Sequence, residues 1–600
     1  MAASNRDYAA EIGSAGSDDD KASLTADWIL SEFDTYYSES RQIPDLAKQA
    51  FEARDHGESL ALSKRRLFFY STAIRDLGAE LATAFPRLAE DERLWQEVDE
   101  RYLPMIKRRY EADLAFAFIN SIRRKIYHGE WKPVEYAFGA AMSPSSDDSP
   151  EVYRCYQGGA QVSAKTVAEI LEIPGFGVPF QDLGEDAYLT AERVNENLGF
   201  SGRTADAIRA IEMINAGFFR NRGAYLVGRI EHEDGEISPF IISLEIDEEG
   251  IYVDAVLTSE ADTHNLFSST LANFNVTSPH YHELSAFLHS IMPRRPLGLH
   301  YSTVGFNHVG KVAVMNDLRG ELTAHGEVLD TAVGFRGTVA IGFAAPSSRY
   351  ALKVIRDHPT DGYKWGEFEG IEAVLGKYGR VHEINRTGSM LDNIIFYNLK
   401  LERDWFAPAL LDELLAEAGE NVSVQDGAVF FRHLIVQMKM IPLPVFFETA
   451  SEEDVEAAII NLGYCIKNNA AANIFNKDLD ARNYGVGAFH KVFLFDYDAL
   501  EPFGEVKIRT NAGRFDGEED PPDWVFEDGV VFLPEEMEPG LRIPNRALSR
   551  MFRQIHGDLM SVEYWERMQR ELGEGRVPSI RVYPEDRKIR REIDRLGMYY

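Results

Sequence analysis

Between Leu24 and about Gly139, apolar residues recur every three or four positions. In LTADWILSEFDTYYSESRQIPDLAKQAFEARD, Trp28, Ile29, Phe33 and Tyr36 fall at helical spacing. DERLWQEVDERYLPMIKRRYEADLAFAFINSIRRKIY keeps that period. Pro104 is expected to break or kink it, because proline lacks a backbone donor and crowds the preceding turn. These aromatics read as a packing layer. From about Tyr153 to Asp330 the period changes. GAYLVGRIEHEDGEISPFIISLEIDEEGIYVDAVLT predicts three strands, divided by turns at Glu233-Asp234-Gly235 and Glu248-Glu249-Gly250. TADAIRAIEMINAGFF and ELSAFLHSIM on either side read as helices, which makes this part α+β. MPRRPLGLHYSTVGFNHVGKVAVMNDL follows and reads as a solvated loop. Its local basic cluster, Arg294, Arg295 and Lys311, is also a candidate anion site.

From Thr331 to about Gln437 strands dominate. TAVGFRGTVAIGFAAPSSRYALKVIRD predicts a hairpin, with Gly334 and Gly337 near its start and Pro346-Ser347-Ser348 near the turn. From about Pro442 to Trp565 helices return. The clearest is SEEDVEAAIINLGYCIKNNAAAN, where Ser451 is placed to cap and Glu452 to Asp454 suit the positive end of the helix dipole. The polar N-terminus, residues 1–22, is expected to fray. RKIRREIDRLGMYY reads as a peripheral charged helix or tail.

Composition narrows the partners. At 600 residues the chain exceeds what one core serves, so two or more domains are expected. Hydrophobic residues make up 45% and aromatics 12%, enough for large cores. Lys plus Arg minus Asp plus Glu gives 63 − 97 = −34. So acidic a surface repels phosphate backbones and anionic lipid, which argues against nucleic acid and membrane as partners. It leaves room for a local basic pocket that takes a small phosphate ligand. Two distant cysteines, Cys155 and Cys465, fit a reducing, cytoplasmic compartment without a disulfide framework. No apolar run reaches the ~20 residues that span a bilayer, and the N-terminus lacks the pattern of a secretion signal.

The candidate chemistry is phosphoryl transfer, which needs a cation on the nucleotide phosphates, ligands for Mg2+, and a carboxylate for the acceptor hydroxyl. Protein kinases supply these parts in a fixed order, and the same order occurs here. AVGFRGTV carries Gly334 and Gly337, short of the full glycine-rich motif. Glycines there let backbone N–H groups approach phosphates. Ala351-Leu352-Lys353 matches the A-x-K of the kinase third strand. Glu372, nineteen residues after Lys353, is a candidate helix partner for that lysine, with Glu367 and Glu369 as rivals. In NIFNKDLDARNYGV, Asp478 and Asn483 reproduce the D-x-x-x-x-N spacing of a catalytic loop, though Asn476-Lys477 stands where kinases have His-Arg. The apolar KVFLF then runs into Asp496, where kinases carry a metal-binding Asp. An Asx-turn would explain Asp478 or Asn483 alone. The joint order points to a nucleotide-binding, kinase-like domain.

Several stretches together resemble the isocitrate dehydrogenase kinase/phosphatase family: AVGFRGTV, ALKVIRD, GSMLDNIIFYN, GKYGRVHEINRTG, NIFNKDLDARNYGV and FLFDYD. FDTYYSESRQI, FEARD, FINSIRRKIY and MFRQIHGDLMSVEYWERMQREL extend the resemblance from about Leu24 to Pro584. It implies a fold in which an N-terminal helical plus α+β regulatory domain (residues 23–330, after a disordered tail, 1–22) precedes a bilobal protein-kinase-like domain. The N-lobe is expected over 331–437, the C-lobe over 438–586 and a tail over 587–600. It also implies an enzyme that phosphorylates a serine of isocitrate dehydrogenase with ATP and Mg2+ (or Mn2+), removes that phosphate, and hydrolyses ATP. This controls the branch between the citric acid cycle and the glyoxylate bypass. AMP is implied as an allosteric effector of the N-terminal region.

Carried over by position, the resemblance makes Ala332, Val333, Gly334, Phe335, Arg336, Gly337, Thr338, Val339 and Lys353 ATP-binding. Asp478 becomes the kinase carboxylate, Asp392 an acidic residue tied to the phosphatase, and Asn483 and Asp496 metal ligands. Three places depart from the family pattern: Lys477 in NIFNKD, Gln437 in place of an acid, and ALEPFGEVKIRTN after Asp498. Two other readings stay open from sequence: a nucleotide-sensing pseudokinase scaffold, and a serine/threonine kinase of another protein without phosphatase activity. So does the choice between monomer and homodimer.

Overall fold

The computed structural model describes residues 6–127, 152–200, 208–267, 274–332, 337–363, 368, 370–384, 389–391, 393–425, 427–497, 499–511, 524, 527–576, 578 and 582–589, with backbone only at 200, 380 and 382–384. The chain opens with α1 (Tyr8–Ser14), α2 (Asp18–Ser40), α3 (Ile43–Glu52), α4 (His56–Ala84), α5 (Glu92–Ile106) and α6 (Ala112–Ile126). Asp7, Ser17, Asp55 and Asp91 start four of them by accepting backbone N–H groups of the first turn, donors that a helix otherwise leaves open. Trp28, Ile29 and Phe33 meet Leu77, Leu81, Trp95 and Phe118 in one core.

Two expectations change here. Most of residues 6–22 is ordered rather than frayed, because Asp7 and Ser17 cap and Ile12 is buried in the bundle. Pro104 does not break α5 in mid-course: it sits on the exposed face, and the helix ends at Ile106.

Next come β1 (Tyr153–Gln157), α7 (Ala164–Leu171), α8 (Leu183–Phe200), β2 (Ile208–Ile214), β3 (Phe218–Arg220), β4 (Gly223–His232), β5 (Ile237–Ile246), β6 (Ile251–Leu257), α9 (Glu260–Phe267) and β7 (Asn275–Val276). Among the described residues the strands form one sheet, ordered β1-β2-β4-β3-β7, with β5 beside β4 and β6 beside β5. Alternation puts Tyr225 and Val227 of β4 against the helical bundle. Ala224, Leu226 and Ile230 face α3, α7 and α8. TADAIRAIEMINAGFF is therefore not helical over its described part. Ile208–Ile214 pairs with β1 on one side and β4 on the other, and a strand buried between neighbours needs no polar alternation.

ELSAFLHSIM forms the expected helix, α10 (Tyr281–Ile291), whereas α11 (Leu297–Thr303) and α12 (Asn307–His325) replace the expected loop at the basic cluster. Arg294 is exposed, Arg295 is fully buried, and Lys311 lies on α12.

The second sheet holds β8 (Asp330–Thr331), β9 (Ala340–Ala344), β10 (Tyr350–Ile355), β11 (Ile394–Glu402), β12 (Val422–Gln425) and β13 (Ala428–Met438). Its order is β11-β13-β10-β9-β8, with β12 beside β13. The chain also forms α13 (Ile371–Ile384) and α14 (Pro408–Glu417) between these strands. One face packs on α12 and α14. The other meets α13 and the helical segment that follows.

That segment runs through β14 (Ile441–Pro442), α15 (Leu443–Thr449), α16 (Glu452–Ala471), β15 (Ile474–Asn476), β16 (Tyr484–Val486), β17 (Val492–Leu494), β18 (Leu500–Pro502), α17 (Met537–Leu541), α18 (Arg546–Ile555) and α19 (Val562–Gly573). Ser451 caps α16 by accepting the Asp454 N–H. The last described residues, 582–589, are not a free tail. Tyr583 hydrogen-bonds Ser243 at 3.0 Å, Arg587 pairs with Asp262 at 2.8 Å, and Ile589 joins a core of the first sheet. No helix among the described residues is long and apolar enough to cross a membrane.

Candidate active site

Strand alternation decides where Lys353 points. Tyr350, Leu352 and Val354 of β10 bury against α12 and α14. Ala351, Lys353 and Ile355 therefore face the opposite way, toward α13 and the helical lobe. Lys353 Nζ donates to the Phe495 carbonyl at 3.1 Å, and the ammonium stands 4.9 Å from the Phe495 ring centroid.

The loop after β15 is built by its own side chains. Asn476 Oδ1 accepts the Asp478 N–H at 3.1 Å. Asp480 accepts the Arg482 N–H at 2.9 Å and pairs with the guanidinium groups of Arg482 and Arg542 at 2.8 and 3.1 Å. Asn483 Nδ2 donates to the Asp478 carbonyl at 2.9 Å, and the Asn483 carbonyl accepts the Phe495 N–H at 3.1 Å. A single path of contacts thus runs from Lys353 through Phe495 and Asn483 to Asp478, with Asp496 one peptide beyond. Its next neighbour, Tyr497, is buried; the hydroxyl donates to the Leu391 carbonyl, and the ring meets Tyr378 of α13 at 5.0 Å. Asp496 is therefore held on both sides.

With Nδ2 committed, Asn483 offers Oδ1 as its acceptor. Asn483 Oδ1 and the Asp496 carboxylate are hard oxygen donors of the kind Mg2+ takes, with water and phosphate oxygens completing its shell. No cluster of three or more His, Cys, Asp or Glu suited to a metal occurs among the described residues.

Other predicted site residues fare differently. Val333, Gly334, Phe335, Arg336 and Asp392 lie outside the described residues. At their borders, the Ala332 N–H bonds the Gly342 carbonyl at 3.0 Å, and Val339 is buried in the core shared with α13 and the helical lobe. Leu391 is tied to Leu494 by a 2.9 Å backbone bond, and Asn393 accepts from Gln437, so the neighbours of residue 392 touch the helical lobe and β13. Glu372 is on α13 but exposed, and Glu367 and Glu369 lie outside the described residues.

Two family models match: isocitrate dehydrogenase kinase/phosphatase (AceK) regulatory domain over residues 26–325, and the kinase domain of the same family over 327–585. The isocitrate dehydrogenase kinase/phosphatase of Rhodopseudomonas palustris (strain HaA2) is 50% identical over 578 residues, 96% of this chain and 94% of its own length. That of Anaeromyxobacter sp. (strain Fw109-5) is 29% identical over 95% of this chain and 98% of its own length. This chain belongs to the isocitrate dehydrogenase kinase/phosphatase family.

Two departures from the pattern of the isocitrate dehydrogenase kinase/phosphatases answer each other. Lys477, beside Asp478, pairs at 2.7 Å with Glu501 on β18, inside the other departing segment. The third, Gln437, is buried beside Ala351 on the cleft face and donates to Asn393. Sequence reasoning missed Asn393, whose signal was an uncharged polar residue just ahead of an apolar strand. It also missed Arg356, which closes the strand that carries Lys353.

Proposed function

We propose that this chain transfers the γ-phosphate of ATP to a serine of isocitrate dehydrogenase and also removes that phosphate, setting the split between the citric acid cycle and the glyoxylate bypass in the cytoplasm. The observation that carries this reading is the contact path from Lys353 through Phe495 and Asn483 to Asp478. Lys353 orients the α- and β-phosphates, and Ala332 to Val339 cover them. Asp478 receives or orients the serine hydroxyl proton. Asn483 and Asp496 would hold the metal, which would neutralise phosphate charge. Such transition states are loose, so positioning and charge stabilisation supply most of the rate. In the reverse direction Asp392 orients a water or the phosphoserine.

AMP acts from the N-terminal half, and Lys311 is the favoured contact. Burial, then the charge of Arg124, pulls its ammonium down to about 7, and an AMP phosphate beside it would favour the charged form. His308, three residues before Lys311, stacks on Tyr70 at 3.5 Å, and Arg124 lies over Tyr397 of β11 at 5.6 Å, which ties α6 to the second sheet. Arg295 donates instead to Leu299 and Thr303 at 3.4 and 3.5 Å.

The test is transfer and release of labelled phosphate on isocitrate dehydrogenase, each with and without AMP. Serine labelling that AMP suppresses, with release that AMP stimulates, is expected. No labelling and no ATP hydrolysis would leave a nucleotide-sensing scaffold. Labelling of another protein, without release, would leave an ordinary kinase.

A further inference from the structure

We infer that Arg356 is a positioning residue for the nucleotide: it fixes the Gly337–Thr338 peptide by clamping the Gly337 carbonyl to α14. This rests on the proposed ATP site. Arg356 follows β10, three residues beyond Lys353, and is only 1% exposed. Its Nε donates to the Gly337 carbonyl at 3.3 Å, and its backbone N–H donates to the Val339 carbonyl at 2.8 Å. Nη2 meets Glu413 at 3.2 Å and Nη1 meets Glu417. Both acids lie on α14, four residues apart, where like charges repel each other. The guanidinium fork between them removes that repulsion and explains why both are there.

The clamp bears on a place with no slack. A Cβ on Gly337 would stand 2.5 Å from the Ala340 carbonyl oxygen, so the chain turns tightly there. A peptide plane carries its C=O and the next N–H in opposite directions. Holding the Gly337 carbonyl therefore fixes the direction of the Thr338 N–H, a donor within the segment proposed to cover the phosphates. Neighbouring bonds hold the clamp: the Asp357 N–H to the Glu417 carbonyl at 2.9 Å, and the Thr360 N–H to the Thr338 carbonyl at 2.8 Å. α14 is itself anchored through buried Leu410, Leu411 and Leu414 on the sheet face away from Lys353. Arg356 thus carries the rigidity of the back layer over the end of the sheet to the nucleotide.

A lysine keeps the charge but lacks the planar fork, so it cannot serve Gly337, Glu413 and Glu417 together. In the full-length enzyme, Arg356→Lys is expected to raise the KM for ATP about tenfold, the scale of one charge-assisted hydrogen bond, with kcat changed less than about threefold. The KM for isocitrate dehydrogenase should not move. Because Arg356→Lys is a buried change, a second variant, Glu413→Gln with Glu417→Gln, attacks the clamp from its partly exposed side and should raise the same KM about threefold. A wild-type KM for ATP in either folded variant overturns the inference, as does an equal rise in both KM values. If the unaltered enzyme binds no fluorescent ATP analogue, the parent reading fails instead.

Discussion

The two sheets use polar residues in opposite ways. In the first, both faces are covered, and charge closes within the sheet: Arg229 on β4 pairs with Glu212 on β2 at 2.6 Å. In the second, one face is packed just as closely. The other sends Lys353 across to a backbone carbonyl of the helical lobe. A polar side chain satisfied within its own layer stabilises that layer. One satisfied across two lobes reports a place where a ligand acts.

The sharpest way to break this contrast is Asp478→Ala. It should cut kinase turnover at least about a thousandfold, the upper range of acid–base contributions, and leave Tm within about 2 °C. Full turnover in that variant would remove Asp478 from the chemistry. The opposite result is expected in the first sheet. Leu226→Ala, fully buried there, should cost about 2–5 kcal/mol in denaturant unfolding, with kcat per folded molecule unchanged.

A third test is pH. Lys311 titrates near 7 rather than at the ordinary 10.5. Between those values the folded chain holds fewer protons than the unfolded one at this group, so its contribution to stability rises with pH. AMP binding has the opposite sign, because the anion requires the ammonium. Affinity should fall up to about tenfold per pH unit above about pH 7, with proton uptake on binding in that range. Calorimetry in two buffers of different ionisation enthalpy reads the uptake, and an affinity flat from about pH 6.5 to about pH 9 excludes Lys311. The smallest effect belongs to Lys477 and Glu501. A double-mutant cycle should return about 0.5 kcal/mol, because the pair is partly solvated.

That Lys353, Asp478, Asn483 and Asp496 come near one another was legible as backbone arithmetic. Asp478, Asn483 and Asp496 hang on short strands and loops whose spacing is set by pairing, and Lys353 on a strand whose alternation is plain. Arg356 was not legible, because its partners Glu413 and Glu417 lie on a helix far along the chain, and no local pattern links them. The strand at Ile208–Ile214 was misread for a similar reason: a central strand is apolar throughout, and only its neighbours distinguish it from a buried helix. The basic cluster misled in another way. Adjacent charges suggested solvent, yet Arg295 is buried with backbone and side-chain oxygens as acceptors.

Residues 582–589 have a consequence for assembly. β6 has β5 on one side, and on the other Phe180 bridges Ile251; past that bridge an open edge invites pairing with other chains. Here the far end of the sequence shields it: Lys588 bridges Ala255, and the Ile589 N–H reaches the Asp254 carbonyl at 2.8 Å. During synthesis the Asp254–Ala255 stretch of that edge stays bare until the catalytic half has emerged. A fragment cut near residue 330 would keep it bare for good, and should be stickier than the intact protein.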